Sequence, residues 1–185
     1  PAVFVRLAEA RDMGPIAGLL NDQILHGRAH FGVATEPPEV VESQWRANRD
    51  RYPWLVAEGA SGGFLGFARA HPWKTREAYD WTVESAIYLA PEARGRGVGR
   101  TLYRRLFETL RDQGFVVVIA GMTVPNPASQ RLHESMGMTV VGEISPAGYK
   151  LGRWAAVRYY QLVLRELGEE EHPGALRRVA EVWTA

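Results

Sequence analysis

The sequence predicts a mixed α+β (α/β) fold, one sheet with helices on both of its faces. Three observations carry this. Short β-rich runs alternate with amphipathic stretches in the order β-α-α-β-β-β-α-β-α-β-β, which is the pattern of a layered sheet and helices. Two of the runs are joined by Gly59-Ala-Ser-Gly-Gly63, a hairpin connection. The chain has 185 residues, 46% hydrophobic and 23% charged, which suits a single domain with a sizeable core.

Each element has its own signal. Val3 to Leu7 is short, apolar and β-rich, hence a strand. From Asp12 to Leu25, Ile16, Leu20 and Ile24 recur every fourth residue, the buried stripe of a helix. His30 to Pro38 carries Gly32, Pro37 and Pro38 and reads as a loop, and a second helix is expected over 39–49. Trp54 to Glu58 and Phe64 to Ala70 form the hairpin, and Val83 to Ala90 is a further strand. Leu102, Leu106 and Leu110 define one face of a helix from Gly97 to Gln113. Phe115 to Ala120 is a continuous apolar run, expected to be a strand buried on both faces. Asn126 to Met136 is a short helix, and Met138 to Glu143 and Val157 to Leu164 are closing strands. The folded body is assigned to 1–167. The remainder, 168–185, is a tail in which Pro173 opens a short helix with Leu176, Val179 and Trp183 on one side, packed on the body or on a partner subunit.

Composition removes whole classes of function. The formal charge is +1, from 22 basic and 21 acidic residues, so no nucleic-acid partner is expected. There is no cysteine, which excludes disulfides, thiolate metal ligands and a cysteine-bound acyl intermediate, and fits the cytoplasm. No apolar run approaches the ~18 residues of a membrane helix, and the first residues lack a signal-peptide pattern; no membrane association is expected. The five histidines have no paired ligand spacing, so no metal is expected.

The most informative segment runs from Ile87 to Tyr103, Ile-Tyr-Leu-Ala-Pro-Glu-Ala-Arg-Gly-Arg-Gly-Val-Gly-Arg-Thr-Leu-Tyr. Pro91 stops a strand, and Gly95, Gly97 and Gly99 lead into an amphipathic helix. Glycines let a ligand approach the backbone, and the free N–H groups of a first helical turn favour an anion. Arg94, Arg96 and Arg100 add charge, so a pyrophosphate is the natural occupant. The run lacks the Lys-Ser/Thr pair of a triphosphate loop, and its glycine spacing differs from the dinucleotide fingerprint. Turn chemistry alone is equally compatible with a flexible basic loop.

Arg94-x-x-Gly97-x-Gly99 after a strand resembles the acyl-CoA signature of the GNAT superfamily, and Asn126-Pro-Ala-Ser-Gln-Arg-Leu-His-Glu-Ser-Met-Gly137 resembles that superfamily's later helix. Arg51-Tyr-Pro-Trp-Leu-Val-Ala-Glu58, the stretch from Pro72 to Ser85, Arg131-Leu-His-Glu134 and Gly148-Tyr-Lys-Leu-Gly-Arg-Trp154 are similar to the phosphinothricin N-acetyltransferases. The likeness covers about residues 3 to 165. It implies a twisted, mostly antiparallel sheet and a homodimer. The activity it implies is transfer of acetyl from acetyl-CoA to the amine of a small molecule such as phosphinothricin, methionine sulfoximine or methionine sulfone. In that frame Ile87, Tyr88, Leu89, Gly95, Arg96, Gly97, Val98, Gly99, Arg100 and Asn126 are cofactor-binding candidates. Ile87 and Leu89 would act through their backbone groups, and Asn126 could equally be no more than a helix cap.

The chemistry then asks for a base, because an α-amino group, with a reference pKa of about 7.7–8.0, is largely protonated near neutral pH. The likeness places a catalytic glutamate at Glu84, where burial would raise the carboxyl pKa. His133 occupies a position that is often tyrosine in the superfamily. It can serve as acid, base or substrate ligand, or merely donate to a backbone carbonyl. Tyr103 reads as a core tyrosine that could also reach the sulfur of CoA. Lys74 and Arg76 are candidates for the acceptor's acidic groups, or solvated loop cations. Relative to the family, Phe31 is displaced by one residue within His30-Phe-Gly-Val-Ala-Thr-Glu-Pro37, a loop expected to border the acceptor pocket. Other readings are a polyamine or protein N-terminal acetyltransferase, recognised by a long acidic groove in the polyamine case, and an acetyl-CoA-binding module without catalysis. The apolar segment Tyr159 to Leu164 and the tail are both compatible with a homodimer.

Overall fold

A computed structural model describes residues 2–185. Seven strands, β1 (Val3–Leu7), β2 (Trp54–Gly59), β3 (Phe64–Pro72), β4 (Thr82–Leu89), β5 (Val117–Val124), β6 (Thr139–Lys150) and β7 (Arg153–Val163), form one sheet in the order β1-β2-β3-β4-β5-β7-β6. Every neighbouring pair is antiparallel except β4 and β5. Helices α1 (Met13–His26) and α2 (Pro38–Asn48) cover one face. Helices α3 (Val98–Gln113) and α4 (Pro127–Ser135) and the tail helix α5 (Val179–Val182) lie on the other.

The period-two alternation of the strands divides the core in two. Leu55, Ala57, Ala68, Ala70 and Val83 face α3, where Leu102, Leu106 and Leu110 are fully buried. Trp54, Val56 and Phe67 point the other way, onto Ile16, Leu20, Val41 and Trp45 of α1 and α2. Helix α3 stops at Gly114, whose φ of 105° lets its N–H reach back to Leu110 and Arg111, a left-handed stop.

Three expectations need correction. Strand β5 is not buried on both faces. Val118 and Ala120 are buried but Val117 and Ile119 are only half-buried, because the α1–α2 core ends at β4. The closing strands are much longer than their apolar runs, since two register shifts absorb the residues around Gly142 and Pro146. Their turn is Leu151-Gly152, both with positive φ, between the paired Lys150 and Arg153, a two-residue hairpin without the usual Asn-Gly signal. The tail helix begins only at Val179, so Leu176 precedes it. The tail packs on its own body. The Trp81 indole donates to the Gly174 carbonyl, Gln113 to the Arg177 carbonyl, and the Val179 N–H to the Asp50 carbonyl.

Candidate active site

The site follows from the one parallel pairing. Strands β4 and β5 are bonded only through Thr82↔Val117, Val83↔Val118 and Glu84↔Ile119. Past Glu84 they part. Ser85–Leu89 continues to pair with β3 on one side, and β5 continues with β7 on its far side. The inner edges of the fork are left without a strand partner, an edge that an extended amide-bearing ligand can complete. A cavity of about 310 Å³ lies at the fork, walled from both faces of the sheet.

On the α3–α4 face the glycine turn lies between β4 and α3. Gly95 and Gly97 have φ of 69° and 80° with nothing within 4 Å of an added Cβ, so conformation alone demands glycine there. Gly99 serves packing, since a Cβ would come within 3.1 Å of the Leu132 side chain and hold α4 away from α3. Val98 is core. Arg94, Arg96 and Arg100 are exposed around the turn, with Arg96 donating to the Glu92 carbonyl. Ile87 and Leu89 pack against the main core. Asn126 caps α4 by accepting from the Ser129 N–H at 3.2 Å, and it also lines the cavity. Tyr88 points to the opposite face and stacks on Phe67.

Glu84 stands on the last rung before the strands part. It is half-buried, lines the cavity and makes no ion pair or side-chain hydrogen bond among the described residues. Burial raises its carboxyl above the ordinary carboxylate range, and the charge of Lys74 pulls the other way. His133 is buried, 4% exposed. Its Nδ1 lies 2.7 Å from the Ser129 carbonyl; a carbonyl only accepts, so Nδ1 carries the proton and Nε2 is an acceptor. The Tyr103 hydroxyl donates to that Nε2 at 3.0 Å and accepts from the Ser85 hydroxyl at 3.2 Å. Burial lowers the His133 pKa and raises that of Tyr103, so both are neutral at pH 7. Both ring nitrogens of His133 are thus engaged. The sequence did not pair His133 with Tyr103; the chain from Ser85 to His133 is a tertiary feature.

On the α1–α2 face the walls are Ala29, His30 and Phe31 from the early loop, Arg69 and His71 from β3, Gly121 and Thr123 from β5, and Val157 and Tyr159 from β7. The loop is pinned there. The Thr123 hydroxyl donates to the Arg28 carbonyl at 2.5 Å, and the buried Lys150 ammonium donates to the carbonyls of Gln23 and His30. Phe31 sits over Gly148, where any Cβ would strike its ring. A second cavity of about 500 Å³ adjoins, sharing Ala29, Thr123 and Asn126 and lined also by Arg28, Arg153 and Trp154.

Lys74 and Arg76 do not line either cavity. Both are exposed, with Lys74 held over the Trp73 ring at 4.7 Å. Sequence reasoning missed Arg69 and His71. Register is what brings them in, since Arg69 faces Ala86 and His71 faces Glu84. The one available signal was that 69 and 71 alternate with the buried Ala68 and Ala70.

Comparison with known proteins identifies the family and the fold. A family model described as the acetyltransferase (GNAT) family matches residues 22–138. The chain is 41% identical over 159 residues to a phosphinothricin N-acetyltransferase of Streptomyces viridochromogenes, covering 86% of each chain. It is 34% identical over 163 residues to an L-methionine sulfoximine/L-methionine sulfone acetyltransferase of Salmonella typhimurium, covering 88% of this chain and 95% of that one. A phosphinothricin acetyltransferase from Sinorhizobium meliloti, solved in complex with AcCoA, matches with a TM-score of 0.85 at 30% identity, over 95% of this chain and 98% of that one.

Proposed function

The chain belongs to the GNAT family of acetyltransferases and uses acetyl-CoA, and from that premise we propose that it acetylates the α-amino group of a small acidic amino-acid analogue by direct transfer. Phosphinothricin, methionine sulfoximine and methionine sulfone, which the names of its relatives specify, are the acceptors of choice. The observation that carries the mechanism is the unpaired Glu84 carboxylate at the point where the sheet forks. Acetyl-CoA supplies the activated acetyl group and a thiolate leaving group.

The glycine turn at Gly95 and Gly97, with Arg94, Arg96 and Arg100 around it, offers backbone N–H groups and charge to a pyrophosphate. The open edge of Ser85–Leu89 offers amide partners, and Asn126 flanks the same cleft. The acceptor enters from the α1–α2 face and presents its ammonium to Glu84. A carboxyl whose pKa is raised by burial is a better proton acceptor than an exposed one, so Glu84 takes a proton from the ammonium and frees the nitrogen lone pair that attacks the thioester carbonyl, the thiolate leaving as the C–S bond breaks. His133 has no free ring nitrogen, so its part is to hold the Tyr103 hydroxyl, and through it Ser85, beside Glu84. Lys74 and Arg76, exposed and outside the cavity wall, have no direct part in holding the acceptor.

A polyamine acceptor is disfavoured, since Glu84 is the one carboxylate among the lining residues and the same wall carries Arg69. We place the enzyme in the cytoplasm, with which the lack of cysteine accords. A homodimer is proposed through β6, the sheet's edge strand. Val140, Val141 and Ile144 are exposed, and Tyr149 and Trp154 are 61% and 62% exposed, an apolar edge that soluble proteins usually cover.

Thiol release from acetyl-CoA, followed with the three analogues, spermidine and an N-terminal peptide in parallel, tests the acceptor class. Turnover with the analogues alone is expected. Turnover confined to spermidine or peptide would refute the assignment.

A further inference from the structure

We infer that Arg69 is the anion-binding residue of the acceptor site, and that it makes a negatively charged group on the acceptor a condition of efficient acetylation. The inference rests on the amino-acid reading above and deepens it.

Position comes first. Arg69 faces Ala86 across β3–β4, and His71 faces Glu84. Directly opposed residues of an antiparallel pair share a face, so the side chains of Arg69 and Glu84 leave the same side of the sheet. They are one two-residue step apart along the strands, about 7 Å. That is the scale of an amino acid with its amine at one end and an acidic group at the other. Both residues line the same cavity.

The second ground is an unused guanidinium. Arg69 makes no ion pair or hydrogen bond among the described residues, and its Nε is buried without a partner. Its immediate company is aromatic. The guanidinium carbon lies 4.8 Å from the Trp54 ring and 5.9 Å from the Phe67 ring. Aromatic faces stabilise a cation and fix its plane, but they accept none of the in-plane N–H bonds. Burial lowers the pKa of the guanidinium, and the same environment keeps His30 and His71 below the ordinary histidine value, Arg69 contributing in both cases. Glu36 acts on Arg69 only through its charge, without an ion pair, and does not line the cavity. A charge held on an aromatic bed, making no hydrogen bond of its own and lining a ligand-sized cavity, suits a carboxylate or phosphinate, which a guanidinium binds through two parallel bonds. Lys74 and Arg76 are exposed and would be screened by water.

The test compares methionine sulfone with its carboxamide in the full-length enzyme, wild type against Arg69→Met and Arg69→Lys. A charge-assisted hydrogen bond corresponds to a factor of about 10–150 in binding. Wild type is therefore expected to favour the acid by up to about 100-fold in kcat/KM. Arg69→Met should raise KM for the acid and bring the acid-to-amide ratio near unity, with KM for acetyl-CoA unchanged. Arg69→Lys, which keeps the charge and loses the fork, should fall between.

If Arg69 were merely structural, both acceptors would suffer alike, so an unchanged ratio in a folded, acetyl-CoA-binding Arg69→Met overturns the inference while leaving amino-acid acetylation intact. If that variant does not fold, Arg69→Lys decides in the same way: a wild-type ratio overturns, a reduced one supports. Turnover of uncharged amines with none of amino acids would remove the acceptor reading itself, and Arg69's role with it.

Discussion

The two sides of the forked sheet are built differently. The α3–α4 side is made largely of backbone: a turn with two left-handed glycines, the first turn of a helix and the open edge of one strand. The α1–α2 side is made mostly of side chains from a loop and three strands, residues 29–31, 69, 71, 121, 123, 157 and 159. A backbone site depends on a contiguous stretch and so tolerates change everywhere except at its glycines. A side-chain site depends on register and on pins such as Lys150 and Thr123, so its specificity can change one residue at a time. The first suits a group common to every turnover, the second an acceptor that differs among relatives.

Glu84 lies where the two halves meet, and it is where the largest effect is expected. Glu84→Gln should lower kcat/KM by roughly 10²–10⁴, the range for a general base, without weakening acetyl-CoA binding measured calorimetrically. In wild type, kcat/KM should fall as pH drops through a pKa raised above the reference value of about 4.3 for glutamate. The stability sign is opposite. A carboxyl raised by burial favours the fold below its unfolded pKa, and that contribution is lost as pH rises through the folded value. Thermal denaturation at pH 7 should therefore find Glu84→Gln at least as stable as wild type. A large loss of stability would make Glu84 a structural residue.

A smaller effect separates the two sides. At Gly97, with φ of 80° and open space around a Cβ, Gly97→Ala meets no clash but pays a left-handed backbone cost of about 1–2 kcal/mol. KM for acetyl-CoA should rise about tenfold, with KM for the acceptor unchanged. Equal changes in both would break the division. Smallest is Tyr103→Phe, which leaves Ser85 and the Nε2 of His133 buried without their partner and should cost about 1–3 kcal/mol of stability. As a positioning residue it should reduce kcat by less than tenfold. A fall of several orders of magnitude in single-turnover rate would mean that the Ser85–Tyr103–His133 chain carries a proton.

By itself the sequence determined the layered fold, the helix stripes at Ile16, Leu20 and Ile24 and at Leu102, Leu106 and Leu110, and the glycine turn. Each of these is a local pattern: a period, a breaker, or a backbone conformation that few residues can adopt. Only the tertiary structure decided the rest. The long closing strands were hidden because two register shifts interrupt their alternation, and the open face of β5 because an apolar run does not say where the covering helices stop. Arg69 and His71 looked like ordinary strand residues until the pairing with Ala86 and Glu84 set them in the cavity, while Lys74 and Arg76, adjacent in sequence to the site, fell outside its wall. Nearness along the chain is a matter of covalent geometry; nearness in an active site depends on strand register, and the folded sheet with its bulges and its single parallel pair sets that.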